Sequence, residues 1–440
     1  MKPLISCVVA VAIASCGPPT RDLDIDGDTP ADAAPPWGAR LSGKVWGPGH
    51  VFPIAGALVA AYAEPPPAIP AGAYCARCVQ APGGESSAIS AADGTFTLQL
   101  PVESTVYLVV QKGEFRRVTE YTAPPQIGDT TIDEALTTLP NRTNAAAGTT
   151  IPNIALVYGD YDGVQDILGK VGIGAVDSGY GFAWGSETGI FDVYDNHGDS
   201  STPARGAALD SLLLDPARMS RYHMIAFACS NNSRFGFMTN PTIQSNLRAY
   251  VRGGGKLYIS DYAFPVLERV WPEFVWFTDP LHGGCNETMS PPNCNHGPPF
   301  DSPSRSLDSD TSAWLLAVDP TVTGTTSQAE LTTYENWNTI GQVAPGYVGD
   351  DQNGAPITMP PKVWVEGGWN YAPDEAPPTF DRTTPHPLTV SFPFGCGRVM
   401  YTTYHTVGST TNKHPGLLTQ ELLLFQLVLE LSRCSGEGLL

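Results

Sequence analysis

Charge is scarce in this 440-residue sequence, and positive charge is scarcest. Charged residues make up 15% of the chain, against about 25% in an ordinary globular domain. The 24 Lys and Arg face 44 Asp and Glu, a net charge of −20. The longest basic run is Arg116-Arg117. Nucleic-acid binding needs a basic footprint that displaces counterions, so no nucleic-acid partner is expected. Polybasic adhesion to anionic lipid is excluded for the same reason. Also missing is any apolar run of about 18 residues, the length of a membrane-spanning helix. Extended coiled coil is excluded by 45 Gly and 41 Pro spread along the chain. The 42% hydrophobic content is nonetheless that of a folded protein with an ample core.

What is present begins at the N-terminus. Met1-Lys2 is a short positive segment, and Leu4 to Ala14 is apolar but too short to span a bilayer. The run ends in Ile13-Ala14-Ser15-Cys16-Gly17. This stretch resembles a bacterial lipobox, in which the Cys is acylated and becomes the first residue. An ordinary secretory signal is the alternative. The resemblance implies a signal peptide over 1–15 and a lipid anchor of palmitate type on Cys16. It also implies a bilayer as partner. Gly17 stands where Asp would retain the protein at the inner membrane, which implies outer-membrane sorting. Residues 16–38 then form an acidic, disordered tether. Inside it, Asp22, Asp24 and Asp26 alternate around Gly27, a weak calcium-loop pattern. Ala33 occupies the place of the closing Glu, so a solvated linker is preferred and no cofactor is expected.

An exported chain can hold disulfides. Local pairs are expected at Cys75–Cys78 and Cys285–Cys294, with Cys396–Cys434 pinning the last helix to the sheet. Cys229 is then a free, buried thiol. His282 and His296 bracket Cys285 and Cys294 as a zinc-like alternative to that disulfide.

The fold class expected is multi-domain: a β-sandwich followed by a three-layer α/β domain that carries a Cys/Pro/Gly-rich insertion. Residues 39–123 alternate and turn in the manner of an all-β unit. Ser42–Trp46, Pro53–Val59, Ala92–Leu98 and Tyr107–Gly113 resemble a carboxypeptidase-regulatory-like, transthyretin-like β-sandwich, a module that usually serves as a spacer or adhesion platform. Residues 124–150 are expected to be a surface linker, with Ile132–Leu136 its only apolar patch. From 151 to 437, buried parallel strands are expected at 154–158, 191–194, 222–229 and 256–260, with helices between them. The Tyr222–Cys229 strand, Leu247–Gly255, Lys256–Asp261 and Gly397–His405 resemble the class I glutamine-amidotransferase-like fold, in its trehalose-utilisation-type branch. About 278–350 is read as an insertion.

The resemblance implies a nucleophile elbow after the strand that ends at Ser260. Tyr258-Ile259-Ser260-Asp261-Tyr262-Ala263 has neither the Cys nor the flanking Gly of such an elbow. A non-catalytic ligand- or partner-binding role is therefore preferred, with the β-sandwich as spacer. The alternative is a cell-envelope hydrolase or sugar-processing enzyme that uses Asp261 and His405 as an acid–base pair. Asp261 could instead cap the following helix. Asp160, Asp162, Asn231, Ser260 and Asp261 are expected at the carboxyl ends of parallel strands, where open α/β sheets bind ligands. Such a crevice is acidic and suits a cation or a polyhydroxyl ligand. Tyr334, Trp337, Trp364, Trp369 and Tyr371 lie in loop-rich segments and admit a carbohydrate partner, although Trp is more often core.

Overall fold

The computed structural model describes residues 37–75, 86–196, 206–277, 300–350, 356–370, 380–404, 406 and 413–431. The chain is multi-domain and rich in strand, with several separate sheets. Its first region contains β1 (Trp37–Lys44), β2 (Leu58–Tyr62), β3 (Ser87–Ile89), β4 (Thr95–Pro101), β5 (Thr105–Lys112) and β6 (Phe115–Thr122). Alternation does the sorting. Phe96, Leu98 and Leu100 of β4 are buried, while Thr95 and Thr97 face water.

The expected surface linker is a correction. Residues 124–150 complete both sheets of this region. They supply β7 (Gly128–Thr131), the short helix α1 (Glu134–Thr137) and β8 (Thr149–Thr150). β7 pairs in parallel with β1, and β8 pairs with β6. Buried Ile132 and Leu139 hold the segment down, and the Asp133 side chain caps α1. The resulting sheets run β4-β1-β7 and β3-β2-β5-β6-β8. Leu41, Leu98, Val59 and Val110 meet between them in one apolar cluster.

An eleven-stranded sheet organises the rest. Its elements begin with β9 (Ile154–Tyr158), α2 (Val164–Lys170), β10 (Asp192–Asp195), β11 (Ala207–Ala208), α3 (Asp210–Leu213) and α4 (Pro216–Met219). They continue with β12 (Met224–Phe227), α5 (Pro241–Arg252), β13 (Lys256–Ser260) and α6 (Phe264–Val270). After β14 (Val275–Trp276) come β15 (Phe300–Ser306), α7 (Ser309–Val318), β16 (Thr323–Thr325) and β17 (Gln328–Asn336). β18 (Gln342–Val343), β19 (Tyr347–Asp350) and β20 (Pro356–Met359) form small ribbons. The chain closes with β21 (Lys362–Asn370), β22 (Phe380–Phe394), β23 (Gly397–Thr402) and α8 (Thr419–Leu431).

The sheet order is β11-β10-β9-β12-β13-β23-β22-β21-β15-β17-β16. The six strands from β11 to β23 are parallel, and those beyond β23 are antiparallel. Alternate side chains of the parallel strands enter two different cores. Leu156, Ala226 and Tyr258 pack with α2 and α8, and Val157, Phe227 and Ile259 pack with α3 to α6. The expected insertion is corrected in part. Of its span, β15 and β17 are integral strands of this sheet, and 278–299 lie outside the described residues.

The first region is packed firmly onto the second. Phe52 sets its ring edge-on to Trp314 and Phe425, at 5.8 and 5.6 Å between centroids. The Trp314 indole donates to the Pro53 carbonyl at 2.8 Å. Lys256 and Glu114 form a buried ion pair across the junction. Gly254 follows α5 in the left-handed region (φ +108°), and a Cβ there would lie 2.0 Å from the Tyr74 carbonyl oxygen.

The disulfide pairing differs from expectation. Cys75 bonds Cys396, with Cα atoms 5.0 Å apart and 321 residues between them. Neither Cys75–Cys78 nor Cys396–Cys434 forms. The reason is tertiary. Ala73 donates to Ser220 O at 2.9 Å, which draws this loop along the amino ends of the parallel strands to the turn that opens β23. Cys16, Cys78, Cys285, Cys294, Cys434, His282, His296, Asp22, Asp24 and Asp26 lie outside the described residues. Among the described residues no helix is long and apolar enough to cross a membrane.

Candidate functional site

The carboxyl ends of β9, β12, β13 and β23 lie side by side, because these strands are parallel neighbours in register. Gly159 allows the turn after β9 to close on its neighbour, since a Cβ there would lie 2.3 Å from the Cys229 carbonyl. Asp160 then reaches the loop after β12. Its Oδ2 accepts from Ser230 Oγ at 2.6 Å and from the Asn231 amide at 3.2 Å. Asp162 turns inward and is buried. It accepts from Ser260 Oγ, from Thr406 Oγ1, and from the Thr406 amide at 3.0 Å. Ser260 Oγ in turn accepts from the Cys229 amide at 2.9 Å. One short network thus ties four strand ends together.

Asp261 takes the elbow position directly after β13. Its φ is +43°, an uncommon left-handed value for a residue with a side chain. Such a conformation costs about 1–3 kcal/mol and persists only where its surroundings enforce it. The strain expected of an elbow is therefore present without glycine. A short polar side chain tolerates this region better than most. Asp261 does not cap α6, whose N-cap is Ala263 with no side-chain bond. Instead its Oδ2 accepts from the Trp337 amide at 3.3 Å, and its carbonyl accepts from the Tyr401 hydroxyl at 3.1 Å.

Asp261 is 0% exposed. Burial pushes its carboxyl well above the usual carboxylate range, and the nearby charges of Asp162 and Glu335 push the same way. The amides of Trp337 and Asn338 oppose the shift without cancelling it. The shift favours the protonated form of this carboxyl. The Cys229 thiol, also fully buried and free, is raised by burial and then by Asp261 and Asp162. It is a thiol and not a thiolate, and the thiolate is the form that attacks.

The structure therefore gathers Asp160, Asp162, Asn231, Ser260 and Asp261 at one edge. His405 lies outside the described residues. Its neighbour Thr406 is at this edge, because Thr402 of β23 pairs with Ser260. Several residues of the network carry no motif of their own: Thr406, Ser230, Trp337, Asn338 and Tyr401. The one available signal is the polar run Thr402-Thr403-Tyr404 at the end of an otherwise apolar strand. Among the described residues no group of three His, Cys, Asp or Glu is placed to hold a metal ion. The expected aromatic platforms divide. Trp364 is core and donates to Ser391 Oγ at 2.8 Å, while Tyr334 is 39% exposed. Trp337 is half-buried beside Tyr262, and the side chains of Trp369 and Tyr371 lie outside what is described.

No family model and no curated protein matches the chain. Among solved structures, a cytoplasmic protein from Salmonella typhimurium aligns over 64% of this chain and 98% of its own, with 12% identity and a TM-score of 0.33. A GH42 beta-galactosidase aligns over 65% of this chain and 31% of its own, with 11% identity and a TM-score of 0.22. Likenesses this weak carry no argument about fold or function.

Proposed function

We propose that this chain is a lipid-anchored cell-envelope protein whose α/β unit binds a ligand or partner without turning it over. Cys16 carries the anchor at the outer membrane, and the acidic tether lifts the folded part from the bilayer. Residues 39–123 are a carboxypeptidase-regulatory-like sandwich, and 151–437 a degenerate amidotransferase-like domain of trehalose-utilisation type. The sandwich is a rigid spacer, because its contacts with the α/β unit leave no hinge of solvent-exposed linker between them.

The observation that carries the reading is the elbow. Where a nucleophile would stand, Asp261 is strained, buried and hydrogen-bonded to backbone, and burial pushes its carboxyl toward the protonated form. A protonated carboxyl sealed from solvent neither attacks a substrate nor takes its proton. The test incubates the full chain with glutamine and with chromogenic glycosides and esters, beside Asp261→Asn. No turnover above that variant is expected. Turnover that Asp261→Asn abolishes, with folding intact, would instead establish the hydrolase that uses Asp261 and His405.

A further inference from the structure

A polar trough lies on the antiparallel half of the large sheet, away from the elbow. It has a volume of about 570 Å³ and is lined by β15, β17, β21 and β22, the segment leading into β16 and the start of α8. Its floor follows from strand alternation. Glu330, Thr332 and Tyr334 project to the solvent side of β17, and Pro303 and Arg305 do so on β15. Arg305 stands opposite Glu330 on one neighbour and Glu366 on the other. Its guanidinium is bonded to Glu366.

We infer that this trough binds a neutral oligosaccharide, which deepens the reading of the chain as a binding protein and rests on it. The chemistry of the row selects the ligand. One guanidinium between two carboxylates leaves a net negative charge, which repels phosphates and acidic glycans. A cation would have to compete with Arg305 for Glu366. A neutral polyol does neither. Its hydroxyls both donate and accept, and the row alternates acceptor, donor and acceptor at the strand spacing of about 4.8 Å. Thr332 and Thr323 add further hydroxyls at the same surface. Tyr334 supplies what a sugar needs besides hydrogen bonds, an exposed aromatic side chain at the trough for its C–H side. A trough of this size is within the range of ordinary ligand sites.

The test is calorimetric titration of the full chain, held in a detergent without a sugar headgroup. The probes are neutral hexasaccharides of the cellulose, chitin, mannan, xylan and amylose types. Saturable binding of at least one probe is expected. Tyr334→Ala and Arg305→Ala should each weaken it about tenfold or more, and Tyr334→Phe should stay within about threefold. Both side chains are exposed, and thermal unfolding of each variant checks that the fold is kept. No binding of any probe, or binding that both alanine variants leave unchanged, would overturn the inference. Neither result touches the elbow, whose failure would appear as turnover.

Discussion

The two halves of the eleven-stranded sheet treat their polar side chains in opposite ways. At the carboxyl edge of the parallel half, Asp162, Ser260 and Thr406 bond one another out of contact with water. Asp261 is sealed there, and burial pushes its carboxyl toward the protonated form. On the antiparallel half, Arg305, Glu330 and Tyr334 stand in an open trough. The first edge is where open α/β sheets ordinarily bind ligands. Here its chemical groups are spent on holding strand ends together, and polar groups exposed to a ligand occur on the added antiparallel strands. A fold-level rule locates an edge; whether the edge is available depends on the partners its side chains have already taken.

The largest expected effect is at the seam between the halves. Cys396 sits in the turn from antiparallel β22 to β23, itself parallel to β13, and Cys75 ties that turn to the first region. Replacing both by Ser should lower the unfolding free energy by about 4 kcal/mol, read by urea denaturation, since the bridge closes a very long loop. Unchanged stability would show that the seam is held by packing alone.

Next comes the contrast between buried and exposed charge. Asp162→Ala leaves Ser260, the Thr406 hydroxyl and the Thr406 amide without their buried acceptor, and should cost about 3 kcal/mol. Arg305→Ala breaks a partly exposed ion pair and should cost less than about 1 kcal/mol. Equal costs in the same denaturation experiment would erase the difference between the halves. A smaller effect concerns Cys229. A thiol reagent should label it only on unfolding, and labelling of the folded chain at the rate of a small thiol would contradict its burial.

The parallel half was legible in the sequence because its strands are continuous apolar runs, as at 154–158 and 256–260. The antiparallel half was less so. β15 reads Phe-Asp-Ser-Pro-Ser-Arg-Ser, and its inward positions are Ser302, Ser304 and Ser306. A strand whose buried face is serine has no hydrophobic alternation to find, so it passed for an insertion. β7 and β8, built of Gly, Asp and Thr, passed for a linker for the same reason. The candidate residues at the parallel edge were readable from strand ends. Their mutual bonds were not, because Thr406 and Trp337 arrive from distant segments. The Cys75–Cys396 bridge was unreadable on the same ground, since spacing speaks only for local pairs. Absence of glycine hid the elbow, which an Asp in the left-handed region supplies.

The most direct test of a closed, proton-bearing elbow is the unfolding free energy of the wild type and Asp261→Asn across pH. Well below the ordinary carboxylate pKa, at about pH 2–3, both folded and unfolded chains hold the Asp261 proton, and its stabilising contribution is fully present. As pH rises the unfolded chain releases that proton while the folded chain keeps it, so the wild type loses stability up to the raised folded pKa. Asn has no such proton to lose. The variant should therefore gain on the wild type steadily as pH rises from about 4, for as long as the folded chain keeps its proton. A difference that stays flat or turns against the variant as pH rises would mean that Asp261 is ionised in the folded protein, and the elbow would be open to chemistry after all.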